Sequence, residues 1–195
     1  MKKFNPEMRY ISMDLESGGI PEGCSILAAY FKVLDGDMNP LGDLSLKVKP
    51  NDGIYVATAE ALEVNGINLI EHDKIAITYS EAGQLLRNFL VEQSDNGKIK
   101  LIPLGKNVSG DIKWVNGSIL GAKTWNMYAS YRIWEVTTLA LAAQRLNKLP
   151  RDMSISLGSL VEYFDVRVAG NLHEEEYDTN ATIAVSEALL KLLST

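Results

Sequence analysis

The chain has 195 residues, a formal net charge of −6 and a pI near 5.0, with 46% hydrophobic and 23% charged residues. These values are typical of one folded domain, which we place at residues 1–195 with a core over about 9–193. Cys24 is the only cysteine, which excludes an intrachain disulfide and a cysteine-based zinc site. The acidity disfavours a non-enzymatic nucleic-acid-binding module more than it disfavours an enzyme that holds cations in a carboxylate cage.

The apolar stretches of the chain are short. The basic residues 1–6 are not followed by the apolar region of a signal peptide. Segments such as 26–31 are far shorter than a membrane span. With a lone cysteine as well, we expect a soluble, cytoplasmic protein without a membrane partner.

In the first quarter of the chain, apolar and alternating segments separated by turn residues predict strands over 9–15, 25–34 and 44–48. Short connections favour an antiparallel meander. Helical spacing follows over 58–64 and over 80–93, where Ser80 is the candidate N-cap.

The remainder alternates between strand and helix. We predict strands over 100–104 and 131–136, and helices from Ser109, through 139–146, over 156–164 and over 179–193. Three strands followed by alternating helices and strands predict one α/β domain, with a mixed sheet and helices on its faces.

Asp14 and Glu16 stand two residues apart at the end of the first predicted strand, so both side chains project from the same face. Neighbouring carboxylates repel each other unless a cation lies between them, and hard divalent ions prefer oxygen ligands. An isolated Asp-x-Glu is more often a solvated strand end. The mostly apolar residues 10–13 favour a buried strand with the acids at its tip.

Three further residues belong to this pattern. Asp111 lies in the first turn of a predicted helix, where the helix dipole favours an acid in any protein. His173 precedes Asp178 by five residues, and it lies on a loop if the last helix begins near Tyr177 or Asp178. An unperturbed histidine titrates near neutral pH, which suits a general base acting on water.

These motifs together resemble the DEDDh group of 3′→5′ exonucleases, which includes polymerase proofreading subunits, ribonuclease T and oligoribonuclease. The likeness is carried by Asp14-Leu15-Glu16-Ser17, by Asn107 through Asp111, and by His173 through Asp178. Residues 60–67 and 131–139 also resemble family segments. The chain departs from the family in Ser17 for threonine, Glu135 for aspartate and Asn65 for histidine.

The resemblance implies a ribonuclease H-like fold with a five-stranded mixed sheet, its second strand antiparallel, and helices on both faces. It implies two divalent cations, Mg²⁺ or Mn²⁺ rather than zinc. Asp14 would bridge both ions, Glu16 and Asp178 would complete the first, Asp111 would help to hold the second, and His173 would be the general base.

The same resemblance implies hydrolysis of the terminal phosphodiester of single-stranded RNA or DNA. Substrate contacts would come from Ser17, Gly18, Asn65 and Asn107. Candidate stacking residues are Tyr55, Trp114, Trp125 and Tyr128. The alternative for Trp114 and Trp125 is a core anchor, which is the better explanation for Trp114. Candidate phosphate contacts are Lys106, Lys113, Lys123 and Arg132.

Two alternatives stay open. One is a catalytically inert exonuclease-like module that binds nucleic acid or serves as a scaffold. The other is a phosphatase or related carboxylate-metal hydrolase. A homodimer and a polymerase or replication partner are both compatible with the sequence.

Overall fold

The computed structural model describes residues 8–19, 23–171 and 173–194. Its strands are β1 Arg9–Ser17, β2 Ile26–Leu34, β3 Pro40–Lys49, β4 Ile77–Thr78, β5 Leu101–Gly105 and β6 Trp134–Glu135. Residues 1–7 and 195, at the ends of the predicted domain, lie outside the described residues.

The described strands form one sheet of six strands in the order β4-β3-β2-β1-β5-β6. β2 pairs antiparallel with β1 and β3, whereas β5, β6 and β4 pair parallel with their neighbours. The second strand is therefore the one that runs opposite to the other described strands, as predicted. The sixth strand, relative to the five expected, is the two-residue β4 beside β3.

Helices cover both faces of the sheet. They are α1 Ala59–Asn65, α2 Leu69–Ile75, α3 Tyr79–Gln93, α4 Val108–Ser118, α5 Ala122–Tyr128, α6 Val136–Arg145, α7 Leu157–Tyr163 and α8 Glu175–Ser194. α3, α4 and α5 bury the larger core against one face, together with Ile11, Met13 and Phe31 of the strands. α8 crosses the other face and is covered in turn by α6 and α7.

β1 divides its side chains between these two layers, because successive residues of a strand point to opposite faces. Ile11 and Met13 enter the core under α3 and α4. Tyr10 packs on the α8 side, with Leu104 and Ile183. The alternation therefore carries Asp14 and Glu16 to the α8 face.

Several predicted boundaries were wrong. The predicted strand over 131–136 is reduced to Trp134 and Glu135, because the Glu135 side chain accepts a hydrogen bond from the N–H of Thr137 and starts α6 at Val136. The last helix begins at Glu175 rather than Thr179, since acidic residues in a first turn are stabilised by the helix dipole. The helices α2 and α5 were not predicted.

None of the helices in residues 8–19, 23–171 and 173–194 has the length and apolar character needed to cross a membrane.

Candidate metal centre

Three of the predicted acids meet between β1 and α8. Asp14 and Glu16 lie at the C-terminal end of β1, just before an irregularity in the pairing with β2, and Asp178 lies in the first turn of α8. One carboxylate oxygen from each residue lies within 4.8 Å of the others. Residues distant in the sequence thus form a compact group of oxygen ligands.

Asp111 reaches the same region by way of β5. This strand runs parallel to β1, so the C-terminal ends of both strands lie at the same edge of the sheet. The chain then turns sharply into α4: a Cβ on Gly105 would lie 2.6 Å from the Cβ of Val108, and Asn107 adopts a φ of 60°. Asp111 is outside the 4.8 Å group, although its charge acts on Asp14.

The electrostatics of the acids favour protons or cations. Burial, and then the charges of Asp111 and Asp178, raise the pKa of Asp14 well above its ordinary value. Burial, followed by the charges of Asp178 and Glu175, raises the pKa of Glu16 to about 8, while Lys47 acts in the opposite direction. Burial also raises the pKa of Asp111 to about 7.

The residues fit hard divalent cations. The donor set is all oxygen, which suits Mg²⁺ or Mn²⁺. The buried Oδ1 of Asp178 has no hydrogen-bond partner among the described residues, and such an atom is costly to bury without a partner or an ion. Burial raises the pKa of Asp178 as well, so each carboxylate of the centre gains from a bound positive charge.

His173 lies on the exposed loop immediately before α8. It has a φ of 67°, which is uncommon for a residue other than glycine. Burial raises the pKa of Asp178, whereas a hydrogen bond with the backbone of His173 and the charge of the His173 ring act to lower it. The histidine therefore lies next to the carboxylate cluster. The structure thus places His173 on an exposed loop before α8 and beside Asp178, as the sequence predicts if the helix starts after it.

The segment after Glu16 forms one wall of a cleft of about 380 Å³, lined by Glu16, Ser17, Gly19, Thr58, Glu60, Ala61, Val64 and Asn65. The Nδ2 of Asn65 donates to the carbonyl of Ser17 over 3.0 Å. A Cβ on Gly18 would lie 2.4 Å from the carbonyl oxygen of Val56. Asn65 and Gly18 therefore shape the wall through backbone contacts.

Glu135 has a role that sequence reasoning missed. Its Oε1 accepts hydrogen bonds from the N–H of Asn107 at 2.9 Å and from the N–H of Thr137 at 3.1 Å. One carboxylate therefore fixes the turn before α4 and starts α6. The signal available in the sequence was an acid directly before a helix, which is typical of an N-cap.

The aromatic candidates differ in accessibility. Trp125 and Tyr128 are only 2% and 5% exposed and belong to the core. The core-anchor alternative is thereby confirmed for Trp125, and the prediction that Tyr128 stacks on bases was wrong. Trp114 is half-buried between two clefts, one with Asp111 and Ser17 and one with Tyr79 and Lys113. The hydroxyl of Tyr55 donates to Asp73 over 3.1 Å.

The candidate phosphate contacts are spread over the surface. Lys113 lines the second of the two Trp114 clefts, and the guanidinium of Arg132 stacks on the ring of Tyr131 at 5.4 Å. Lys123 is exposed and Lys106 is half-buried.

The fold of this chain is similar to that of several solved structures of exonuclease I. The chain is similar to E. coli Exonuclease I in complex with a dT13 oligonucleotide, with a TM-score of 0.73, 18% identity and coverage of 94% of this chain and 40% of that one. The zinc-bound form of the E. coli ExoI–ssDNA complex gives a TM-score of 0.75, 17% identity, and 96% and 42% coverage. Exonuclease I from Methylocaldum szegediense gives a TM-score of 0.70 and 16% identity, with coverage of 94% of this chain and 40% of that one.

The fold is ribonuclease H-like. The predicted α/β architecture is thereby confirmed, with one short strand more than expected. At these identities the likeness concerns the fold, and the chain spans about 40% of the length of the solved exonucleases that it matches. No protein-family model matches the chain, and the search of curated proteins finds no match.

Proposed function

We propose that this protein is a metal-dependent 3′→5′ exonuclease that hydrolyses the terminal phosphodiester of single-stranded nucleic acid. The observation that carries the proposal is the meeting of Asp14, Glu16 and Asp178 within 4.8 Å of one another, at the sheet edge that Asp111 also reaches. The fold shared with exonuclease I supports the proposal. A likeness of fold does not by itself establish an activity, so the carboxylates carry the proposal.

The four carboxylates would hold two divalent cations. Asp14, Glu16 and Asp178 would be the main ligands, and Asp111 would help to hold the ions from the same edge of the sheet. Bound cations of this kind neutralise the charge that develops on a phosphodiester during in-line displacement. Without bound cations, the like charges of the carboxylates would repel the scissile phosphate.

His173 would be the general base. Its ring nitrogen would accept the proton of the attacking water, and its exposed loop position leaves it accessible to solvent and to the substrate end. Asp178 follows in the first turn of α8, so the loop before this helix would supply the proton acceptor and its first turn would supply a cation ligand. His173 lies outside the 4.8 Å group of carboxylates and would not itself hold an ion.

The substrate end would enter the cleft between Ser17 and Asn65. This cleft adjoins Glu16 and has an apolar wall with Ala61 and Val64, suitable for a terminal nucleoside. Trp114 and Asn107 line the neighbouring cleft beside Asp111, where the next nucleotide would lie. We further propose that residues 1–195 act as one exonuclease domain.

Digestion of 5′-labelled single-stranded DNA and RNA with Mg²⁺, Mn²⁺ or Zn²⁺ tests the proposal. Zinc is included because a zinc-bound form of an exonuclease I complex is among the similar structures. We expect a ladder of products shortened from the 3′ end that Asp14→Asn abolishes. Cleavage of neither polymer, with metal bound, would instead identify an inert scaffold module.

The His173→Asn variant separates chemistry from metal binding. Since His173 is not a proposed ligand, we expect cleavage to fall by about 10²–10⁴-fold while Mn²⁺ affinity stays unchanged. The matched control is Asp14→Asn, which should lose Mn²⁺ binding as well. An active His173→Asn enzyme would assign the general base to another group.

A further inference from the structure

The function proposed so far does not use an ion pair that lies beside the candidate metal centre. The Nζ of Lys47, on β3, lies 2.5 Å from Oε1 of Glu175, the first residue of α8. Glu175 is only 6% exposed, whereas the Lys47 side chain is 40% exposed. A carboxylate buried to this extent requires a partner charge, and Lys47 provides it.

Strand register explains why Lys47 lies near the carboxylates. Glu16 pairs with Ala28 across β1 and β2, and Ala28 pairs with Lys47 across β2 and β3. Residues directly opposite each other on neighbouring strands project from the same face of the sheet. Glu16, Ala28 and Lys47 therefore form a row in which the central side chain is a single methyl group.

The length of this row permits a competing contact. Neighbouring strands are about 4.8 Å apart, so the backbones of Glu16 and Lys47 are separated by roughly 10 Å. A lysine side chain can cross the small Ala28 and approach Glu16. In the structure the ammonium instead contacts Glu175, which is its ion-pair partner among the described residues.

We propose that Glu175 is a positioning residue for the metal centre: by pairing with Lys47, it keeps the ammonium away from Glu16 and leaves that carboxylate available to a divalent cation. The inference rests on the proposed metal-dependent function. Without Glu175, Lys47 would pair with Glu16 and compete with the cation. With the pair intact, the positive charge stays near the acids without occupying a ligand position.

Mn²⁺ titration of the nucleic-acid-free protein by calorimetry tests this role. We expect Glu175→Gln to weaken Mn²⁺ binding on the order of tenfold, as removal of outer partners of metal ligands commonly does. Lys47→Met removes the competitor but keeps an apolar stem, so its Mn²⁺ affinity should equal or exceed that of the wild type. The double variant should bind Mn²⁺ nearly as well as the wild type.

The control is Lys49→Met, which removes another ion pair of β3, that of Lys49 with Asp73 at 2.9 Å. This variant should bind Mn²⁺ as the wild type does. The proposal is overturned if Glu175→Gln binds normally, or if the double variant is as weak as Glu175→Gln. Equal weakening in Lys47→Met would also overturn it, because the pair would then only clamp the start of α8.

The metal titration keeps this proposal separate from the proposed activity. A wild-type protein that binds Mn²⁺ but cleaves neither DNA nor RNA would refute the exonuclease alone. A cleaving enzyme whose Glu175→Gln variant binds Mn²⁺ normally would refute the role of Glu175 alone. Absence of Mn²⁺ binding in the wild type would overturn both.

Discussion

At the scale of single residues, the candidate metal centre depends on its carboxylates and on neighbouring contacts made through the backbone. The pattern of Asp14 and Glu16 at the end of an apolar strand is a local signal, and motif order added Asp111, His173 and Asp178. Their roles stay predictions, although the structure brings three of them within 4.8 Å. Nothing in the sequence indicated contacts made through the backbone, such as the bond from Asn65 to Ser17.

Gly18 illustrates a constraint that belongs to one residue. Its N–H donates to Ser25 and its carbonyl accepts from Thr58, so the segment after β1 is held close to residues 56–58. A methyl group at Gly18 would meet the Val56 carbonyl at 2.4 Å. We expect Gly18→Ala to lower the free energy of unfolding by about 1–3 kcal/mol, as overpacking does, measured by urea denaturation.

The matched variant is Gly117→Ala, in the last turn of α4. A Cβ there meets no atom within 4 Å, and alanine in a helix is favoured over glycine by about 0.5–1 kcal/mol. This variant should therefore be slightly more stable than the wild type. Equal stability of the two variants would contradict the contact described for Gly18.

At the scale of elements, periodic segments were predictable and helix starts were less so. α3 was expected to start at Ser80, but Thr78 is its N-cap, because Thr78 and Glu81 form a reciprocal capping box. α4 starts after Asn107 rather than at Ser109. Caps depend on local hydrogen bonds, and several neighbouring polar residues can form them.

Substitution at the two candidate caps distinguishes them. We expect Thr78→Ala to cost about 1 kcal/mol of stability, because it removes the acceptor for the N–H of Glu81. Ser80→Ala should change stability by less than about 0.5 kcal/mol, as is usual for exposed positions. Chemical denaturation of both variants measures the difference, and a larger loss for Ser80→Ala would favour the start predicted from the sequence.

At the scale of the whole molecule, the sheet order follows from pairings that a single sequence does not contain. The alternation of strands and helices predicted the layers, and the antiparallel β2 agrees with the resemblance. The seven-residue helices α2 and α5 were missed, whereas α1 and α7, which are equally short, were predicted. The row from Glu16 to Lys47 spans three strands, so it appears only once the register is known.

The acids of the centre should make the metal-free fold sensitive to pH. The folded pKa of Glu16 is about 8, against an ordinary value of 4.5, so the folded state retains a proton that the unfolded chain releases. The contribution of Glu16 to stability is therefore greatest below the unfolded pKa and is lost as the pH rises towards 8. Asp111, with a pKa raised to about 7, acts in the same direction.

We accordingly expect Mg²⁺ to raise the thermal midpoint more at about pH 8 than at about pH 5, since cations replace protons among ionised carboxylates. Scanning calorimetry with EDTA and with Mg²⁺ at both pH values measures this difference. Glu16→Gln should flatten the pH dependence of the metal-free protein. A Mg²⁺ effect that is larger at low pH would contradict the raised pKa values.

The border strands β4 and β6 have only two residues each. β4 pairs with β3 at Val48 and Lys49, so the described structure shows no partner strand on that side of β3 over residues 40–47. Unpaired backbone groups at a sheet border are a template on which another chain can add a strand, and proline and charged side chains at such a border oppose this. Pro40, Asp43 and Lys47 lie in this part of β3, so we expect them to oppose the joining of two copies into a continuous intermolecular sheet.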